Sequence, residues 1–242
     1  MSLLTPNWVT PNNVEAVSST RENGVSKAPF SSFNLGMHVG DEPSDVLANR
    51  QVLQISADMP SSPVWLNQTH STNIAIVQAA TEQVLDADAS FTRTPGVVLS
   101  AMTADCLPIL ICAKDGSAVA AVHAGWRGLA DGIVEKAANL FDSEAQAWIG
   151  PAIGFDAFEV GLDVKHAFCQ TNPEYSVAFK AGANPDKWLA DLAHIAQMKL
   201  QASGIRDVTL SSLCTFSDEK RFFSYRRDGQ TGRMASFIWI NH

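Results

Sequence analysis

Apolar side chains recur at helical spacing in two stretches, Leu129, Ile133, Val134, Ala137, Leu140 and Phe141, and then Trp188, Leu189, Leu192, Ile195, Ala196 and Leu200. Each set would line one face of a helix, and Gly204 is placed to stop the second. Shorter helices are predicted from Asp45 to about Ala57, and from Val164 to Asn172 after a start at Asp163. Runs with strand character surround them: Val64 to Gln68, Asn73 to Gln78, Val97 to Met102, Pro108 to Ala113 and Ala118 to His123, followed by Ala147 to Gly150, Val208 to Ser212, Phe222 to Arg226 and Ala235 to Ile240. Several follow one another with no helix between. That argues for mixed or largely antiparallel sheets with helices packed outside, and against a doubly wound parallel sheet. The polar stretch from Thr10 to Lys27 reads as turns and loops leading to Phe30. No repeat, low-complexity tract or charge run divides the chain, so residues 1–242 are expected to form one layered α/β domain.

Composition narrows the function classes. Hydrophobic residues make up 46% and charged residues 17% of 242 positions, an ordinary globular balance with length enough for a core that needs no disulfides. Seventeen basic against 25 acidic side chains leave a net charge of -8, which disfavours nucleic acid or an anionic membrane as partner and favours a small molecule. The opening MSLLTPNWVTPNN lacks a basic segment and a continuous apolar one, so a cytoplasmic protein is expected. Cys106, Cys112, Cys169 and Cys214 include no CxxC pair, so neither a disulfide framework nor a zinc ribbon is indicated.

The candidate chemistry lies between Cys106 and His123. Asp115-Gly116, set between two apolar runs, predicts a two-residue type I′ hairpin turn. In that register Pro108 opposes His123, and Cys106 opposes Gly125, so Cys106 and His123 share a sheet face with Cα atoms roughly 7 to 8 Å apart. That is the reach of a metal-ligand pair or of a nucleophile and its base. His70, in NQTHST between two strand-like runs, is the candidate third member. A His-Cys-His set without a fourth ligand suits a catalytic zinc site, which keeps one position open. Two other readings stand beside it: a cysteine hydrolase with Cys106 as nucleophile and His123 as base, and a binding protein whose structural zinc would require a fourth ligand.

The motifs FNLGMHVGD, WLNQTHS, ADCLPIL, HAGWRGLADGIVE, GPAIG, FEVG and FFSYRRDGQTGRMASFIWI, with the Asn49-Arg50 pair, occur in order over nearly the whole chain. Together they resemble the YfiH-like family, also called the laccase-domain or multicopper polyphenol oxidase family and regarded as purine nucleoside phosphorylases. The resemblance implies a four-layer αββα sandwich of mixed sheets and zinc held by His70, Cys106 and His123. It also implies phosphorolysis of adenosine, inosine, guanosine and methylthioadenosine, with adenosine deamination as a second activity. The Gln-Thr-His-Ser stretch departs from the usual Gln-Val-His-Gly form but keeps the histidine.

Phosphorolysis needs an anion site. Lys220, Arg221, Arg226, Arg227 and Arg233 concentrate positive charge in an acidic chain, and the motif favours Arg226 and Arg227 for phosphate. HAGWRG follows a strand and opens a helix, so Arg127 can present its planar fork there, and Arg50 is a further candidate. Trp126 reads as core packing more readily than as a stacking platform. Six histidines with no HxH pair are poorly suited to a multicopper cluster, so copper and polyphenol oxidation are disfavoured.

Overall fold

In the computed structural model, which describes residues 3–242, the Cys-His hairpin forms the middle of a six-stranded mixed sheet. The strand order is Asp207–Leu210, Ala145–Ile149, Leu107–Ala113, Val119–Ala124, Ala89–Thr92 and Ile74–Ile76. The two outermost pairs run parallel and the inner pairs antiparallel. A second, antiparallel sheet has the order Leu3–Leu4, Val14–Ser19, Met234–Ile240 and Leu99–Thr103. A small antiparallel sheet joins Phe179–Ala181, Lys187–Ala190 and Glu159–Gly161.

The two larger sheets pack face to face. Leu110, Cys112, Val119 and Ala121 from one meet Ala16, Leu99, Ala101, Ile238 and Ile240 from the other. Alternate residues Leu107, Ile109 and Ile111 point the opposite way, against helices Ile133–Ala138 and Leu192–Ala202. Both faces of the central strands are therefore covered, and Leu107–Ala113 reads as continuously apolar. On the far side Ala235, Phe237 and Trp239 pack against Leu53 of helix Pro43–Ser56, with Phe33 and Leu35. The stack is helix, sheet, sheet, helix, which is the four-layer αββα arrangement.

Several local expectations change. The helical run from Leu129 is broken into Trp126–Ala130 and Ile133–Ala138, because Gly132 takes a left-handed φ of 92° between them. Trp188 and Leu189 lie in a strand paired on both sides, and helix Leu192–Ala202 starts only where the Asp191 side chain caps the His194 N–H. Gly204 does end that helix, at φ 95° with the Ile205 N–H on the Leu200 carbonyl. Val14–Ser19 is a strand where loop was expected; its polar Ser18 and Ser19 are buried and bond to Ser236 and to the Ala235 N–H. Phe222 to Arg226 is no strand: two buried phenylalanines precede the helical turn Tyr225–Asp228, capped by Ser224. Val64 to Gln68 contributes only isolated bridges. The helix expected from Asp163 starts at Leu162 and ends at Cys169.

The hairpin turn itself is a four-residue loop in which Gly116 alone has positive φ, at 73°, and donates its N–H to the Ala113 carbonyl. This is not type I′. The loop is nevertheless centred on the same dipeptide, so Pro108 opposes His123 and Leu107 opposes Ala124, as the expected register required.

Candidate functional site

The hairpin delivers His123 at the end of its strand, on the inter-sheet face, and Cys106 just before the partner strand begins. His70 arrives on a loop whose backbone turns left-handed at that residue, with φ 63°. One carboxylate organises all of this. Asp88, fully buried, accepts the N–H groups of Thr69, His70 and Ser71 at 3.2, 2.9 and 2.7 Å, the Ser71 hydroxyl at 2.7 Å, and His123 Nδ1 at 2.8 Å. Burial opposes its charge, but these donors outweigh burial and hold the carboxyl well below the usual carboxylate range. The Gln68 side chain adds a second clamp, donating to the Met102 carbonyl at 2.7 Å and accepting its N–H at 2.8 Å.

Cys106 is set by its neighbour. Asp105 has φ 94°, and its carboxylate accepts from Thr215 Oγ1 at 2.6 Å, Ser224 Oγ at 3.0 Å and the Arg226 N–H at 2.7 Å. The cysteine loop is thereby tied to the Arg226 turn.

The donor atoms of His70, Cys106 and His123 lie within 4.8 Å of one another, and the two imidazoles stand edge to face at 4.9 Å. Cys106 Sγ is 3.7 Å from His70 Nε2, close to the ~3.6 Å expected between sulfur and nitrogen ligands at tetrahedral angles on one zinc-sized ion. Asp88 occupies His123 Nδ1, which leaves Nε2 for an ion, the usual carboxylate-histidine-metal order. Gly125 supplies an independent sign. A Cβ there would lie 2.9 Å from His70 Nε2 and 3.1 Å from Cys106 Sγ, so the position must lack a side chain for the donors to converge. The three residues can hold a metal ion. Burial alone would push the Cys106 thiol up, yet the His123 and His70 imidazoles bring it down to about 6. Against the same burial, Cys106 and Asp88 raise His123 to about 9. Each group's charge thus favours the charged form of the other.

Around these donors lies a cavity of about 530 Å³. Ile153, Phe158, Leu192 and Trp126 give it an apolar wall, and Arg127, Arg226, Arg233 and His38 give it cationic and donor groups. Arg127 stacks on Trp126 at 4.4 Å, while Arg226 lies 5.0 Å from the Phe158 ring and donates to the Glu159 carbonyl at 2.9 Å. The other two expected arginines do not line the cavity. Arg50 donates to the Leu35 carbonyl at 3.0 and 2.7 Å and lies 3.6 Å from the Trp65 ring, and burial lowers its pKa to about 10. Arg227 spends its guanidinium on Asp228 and on the carbonyls of Thr215, Phe216 and Phe222. The basic segment is likewise no uniform patch, because Arg221 pairs with Asp218 at 2.5 Å and Lys220 faces a separate shallow groove.

Sequence reasoning did not assign Asp88, Gln68 or His38 to the site. Asp88 stands in LDADAS with nothing to separate it from Asp86, and only its strand pairing beside His123 reveals it. Asp105 was carried within the ADC motif and Arg233 within the basic run, without roles of their own.

Fold and donors together define a layered α/β protein with one His-Cys-His centre at the floor of a cationic and aromatic cavity. Residues 15–241 match the family described as multi-copper polyphenol oxidoreductase laccase. A Shigella flexneri protein named purine nucleoside phosphorylase YfiH is 46% identical over 241 residues, covering 98% of each chain. The Haemophilus influenzae purine nucleoside phosphorylase is 46% identical over 244 residues, covering 99% of this chain and all of that one (100%). A Neisseria meningitidis crystal structure superposes with a TM-score of 0.95 at 45% identity over 100% of both chains. The YlmD protein of Geobacillus stearothermophilus gives 0.89 at 32% identity, over 96% of this chain and 93% of its own. The chain belongs to the YfiH-like, laccase-domain family.

Proposed function

We propose that this protein is a zinc-dependent purine nucleoside phosphorylase, acting on adenosine, inosine, guanosine and methylthioadenosine, with adenosine deamination as a second reaction at the same site. The observation that carries the reading is the joint presence, in one cavity, of a His-Cys-His donor set, an aromatic wall and arginines without carboxylate partners. Arg21, Arg93, Arg221 and Arg227 pair with Asp228, Asp142, Asp218 and Asp228 outside it. Arg127, Arg226 and Arg233, which line it, have no carboxylate within 4.0 Å among the described residues. Unpaired guanidinium groups facing one cavity call for an anionic substrate. Phosphate and a nucleoside supply both the charge and the aromatic surface.

His70, Cys106 and His123 would hold the zinc, Cys106 as thiolate and His123 through Nε2 with Asp88 fixing its tautomer. Bound there, the ion supplies Lewis acidity towards substrate oxygens and acidifies water. The chain's own groups do the rest: Trp126 and Phe158 offer planes for a purine, and Arg127, Arg226 and Arg233 bring positive charge to bear on a phosphate near the sugar. A thiolate and two imidazoles suit zinc. Among the described residues they are the single group of three or more histidine, cysteine or acidic donors close enough to share an ion, so a multicopper reaction has too few ligands. The cellular setting is the cytoplasm, where all four free cysteines stay reduced; among the described residues no helix is long and apolar enough to cross a membrane.

One observation favours a second reading. Asp88, His123 and Cys106 also form the chain of contacts that activates a thiol nucleophile. Incubating metal-analysed protein with adenosine, with and without phosphate, separates the two. Stoichiometric zinc, with adenine and ribose 1-phosphate formed only with phosphate, supports the phosphorylase. Metal-free protein that turns over amides but no nucleoside would replace it with the hydrolase.

A further inference from the structure

The cavity has two unlike walls, and they belong to opposite layers of the sandwich. Trp126, Ile153, Phe158 and Leu192 belong to or pack against the core on the helical side of the six-stranded sheet. The facing side comes from the loop after Phe33 and the turn entering Met234–Ile240. These two segments are zipped together: the Leu35 N–H donates to the Arg233 carbonyl at 3.1 Å, and the Arg233 N–H to Asn34 Oδ1 at 2.8 Å. Gly36 lets the Arg233 stem pass, since a Cβ there would lie 2.9 Å from Arg233 Cγ. The result brings His38 and Arg233 into the lining of the same cavity.

Arg233 is the anomalous cation. It is half-buried, its Nη1 donates to the Thr231 and Gly232 carbonyls at 3.0 Å each, and its Nε and Nη2 have no partner among the described residues. Burial opposes its charge, Cys106, Asp105 and Tyr225 favour it, and none of the three is a salt-bridge partner. Arg226 is already held by the Glu159 carbonyl, and Arg127 by an aromatic ring. A half-buried guanidinium with a free edge costs solvation that an oxyanion returns.

Resting on the phosphorylase reading, we propose that Arg233 and His38 form the primary phosphate seat and that the Trp126 and Phe158 wall takes the base. In-line displacement fits this division: a phosphate oxygen bonds to ribose C1′ from one side as the C1′ to purine-nitrogen bond breaks on the other. The bond's electron pair leaves with the purine, which takes up the proton that hydrogen phosphate gives up. The two walls set nucleophile and leaving group on opposite sides of that carbon.

Kinetics on zinc-loaded Arg233→Gln and His38→Ala test this; glutamine keeps the Cβ and Cγ that pack on Gly36. KM for phosphate should rise about tenfold or more in each, while KM for the nucleoside moves less than about threefold. Inorganic phosphate alone should raise the Tm of the wild type and fail to do so for Arg233→Gln. A phosphate KM within twofold of wild type in both variants, with a tenfold rise in Arg127→Ala or Arg226→Ala, overturns the seat. Should wild-type protein cleave no nucleoside, the phosphorylase reading fails by itself; the Tm comparison then still decides whether Arg233 holds phosphate.

Discussion

Cys106 and Gly125 separate ligation from nucleophilic catalysis at the level of single side chains. Cys106→Ser should lose both bound metal and turnover, measured by elemental analysis and by purine release; full metal with activity alone lost would favour the nucleophile. Gly125→Ala should do the same without replacing a donor, because its methyl would press on His70 and Cys106. Asp88→Asn presents an amide to N–H donors that now share one carboxylate, so metal affinity should fall about 10 to 100-fold in a chelator competition. The same carboxylate gives a pH dependence with a definite sign. Its folded pKa is depressed, so its stabilisation is complete above the ordinary aspartate value, about 3.9, and fades as pH falls below that. Wild-type Tm should therefore drop more steeply with acid than that of Asp88→Asn.

The Asp105 carboxylate joins separate elements, with Thr215, Ser224 and the Arg226 N–H all converging on it from outside its own loop. Asp105→Ala should therefore impair two functions that Cys106→Ser and Arg226→Ala impair separately, lowering metal affinity and raising the phosphate KM together. Loss of one without the other, in titrations of both ligands, would show that the loops stand independently. What was legible in the sequence follows the same division. The hairpin was readable because Asp-Gly marks its centre, and the register depends on that centre rather than on the turn type. Strand Val14–Ser19 was not, because Ser18 and Ser19 are satisfied by side-chain bonds across the sheet and carry no hydrophobic signal. Arg50 and Arg227 looked like anion ligands because sequence shows charge but not the carbonyls, ring and carboxylate that occupy it. Asp88 lacked any local mark, since its meaning arises only when Ala89–Thr92 pairs beside the His123 strand.

Across the whole molecule, a chain of net charge -8 keeps its cavity arginines, none with a carboxylate partner, beside the one group among the described residues that could hold a metal. Water and phosphate would then compete for the same reactive position, since deamination consumes water and cleavage consumes phosphate. Raising phosphate at saturating adenosine should shift products from inosine and ammonia towards adenine and ribose 1-phosphate. Arg233→Gln should move that crossover to about tenfold higher phosphate. The measurement is a chromatographic product ratio across a phosphate titration at fixed ionic strength, because salt screens exposed arginines on its own. Inosine formation that stays constant while adenine rises would mean that the two reactions do not compete, and the shared position would have to be abandoned even with the metal ligands intact.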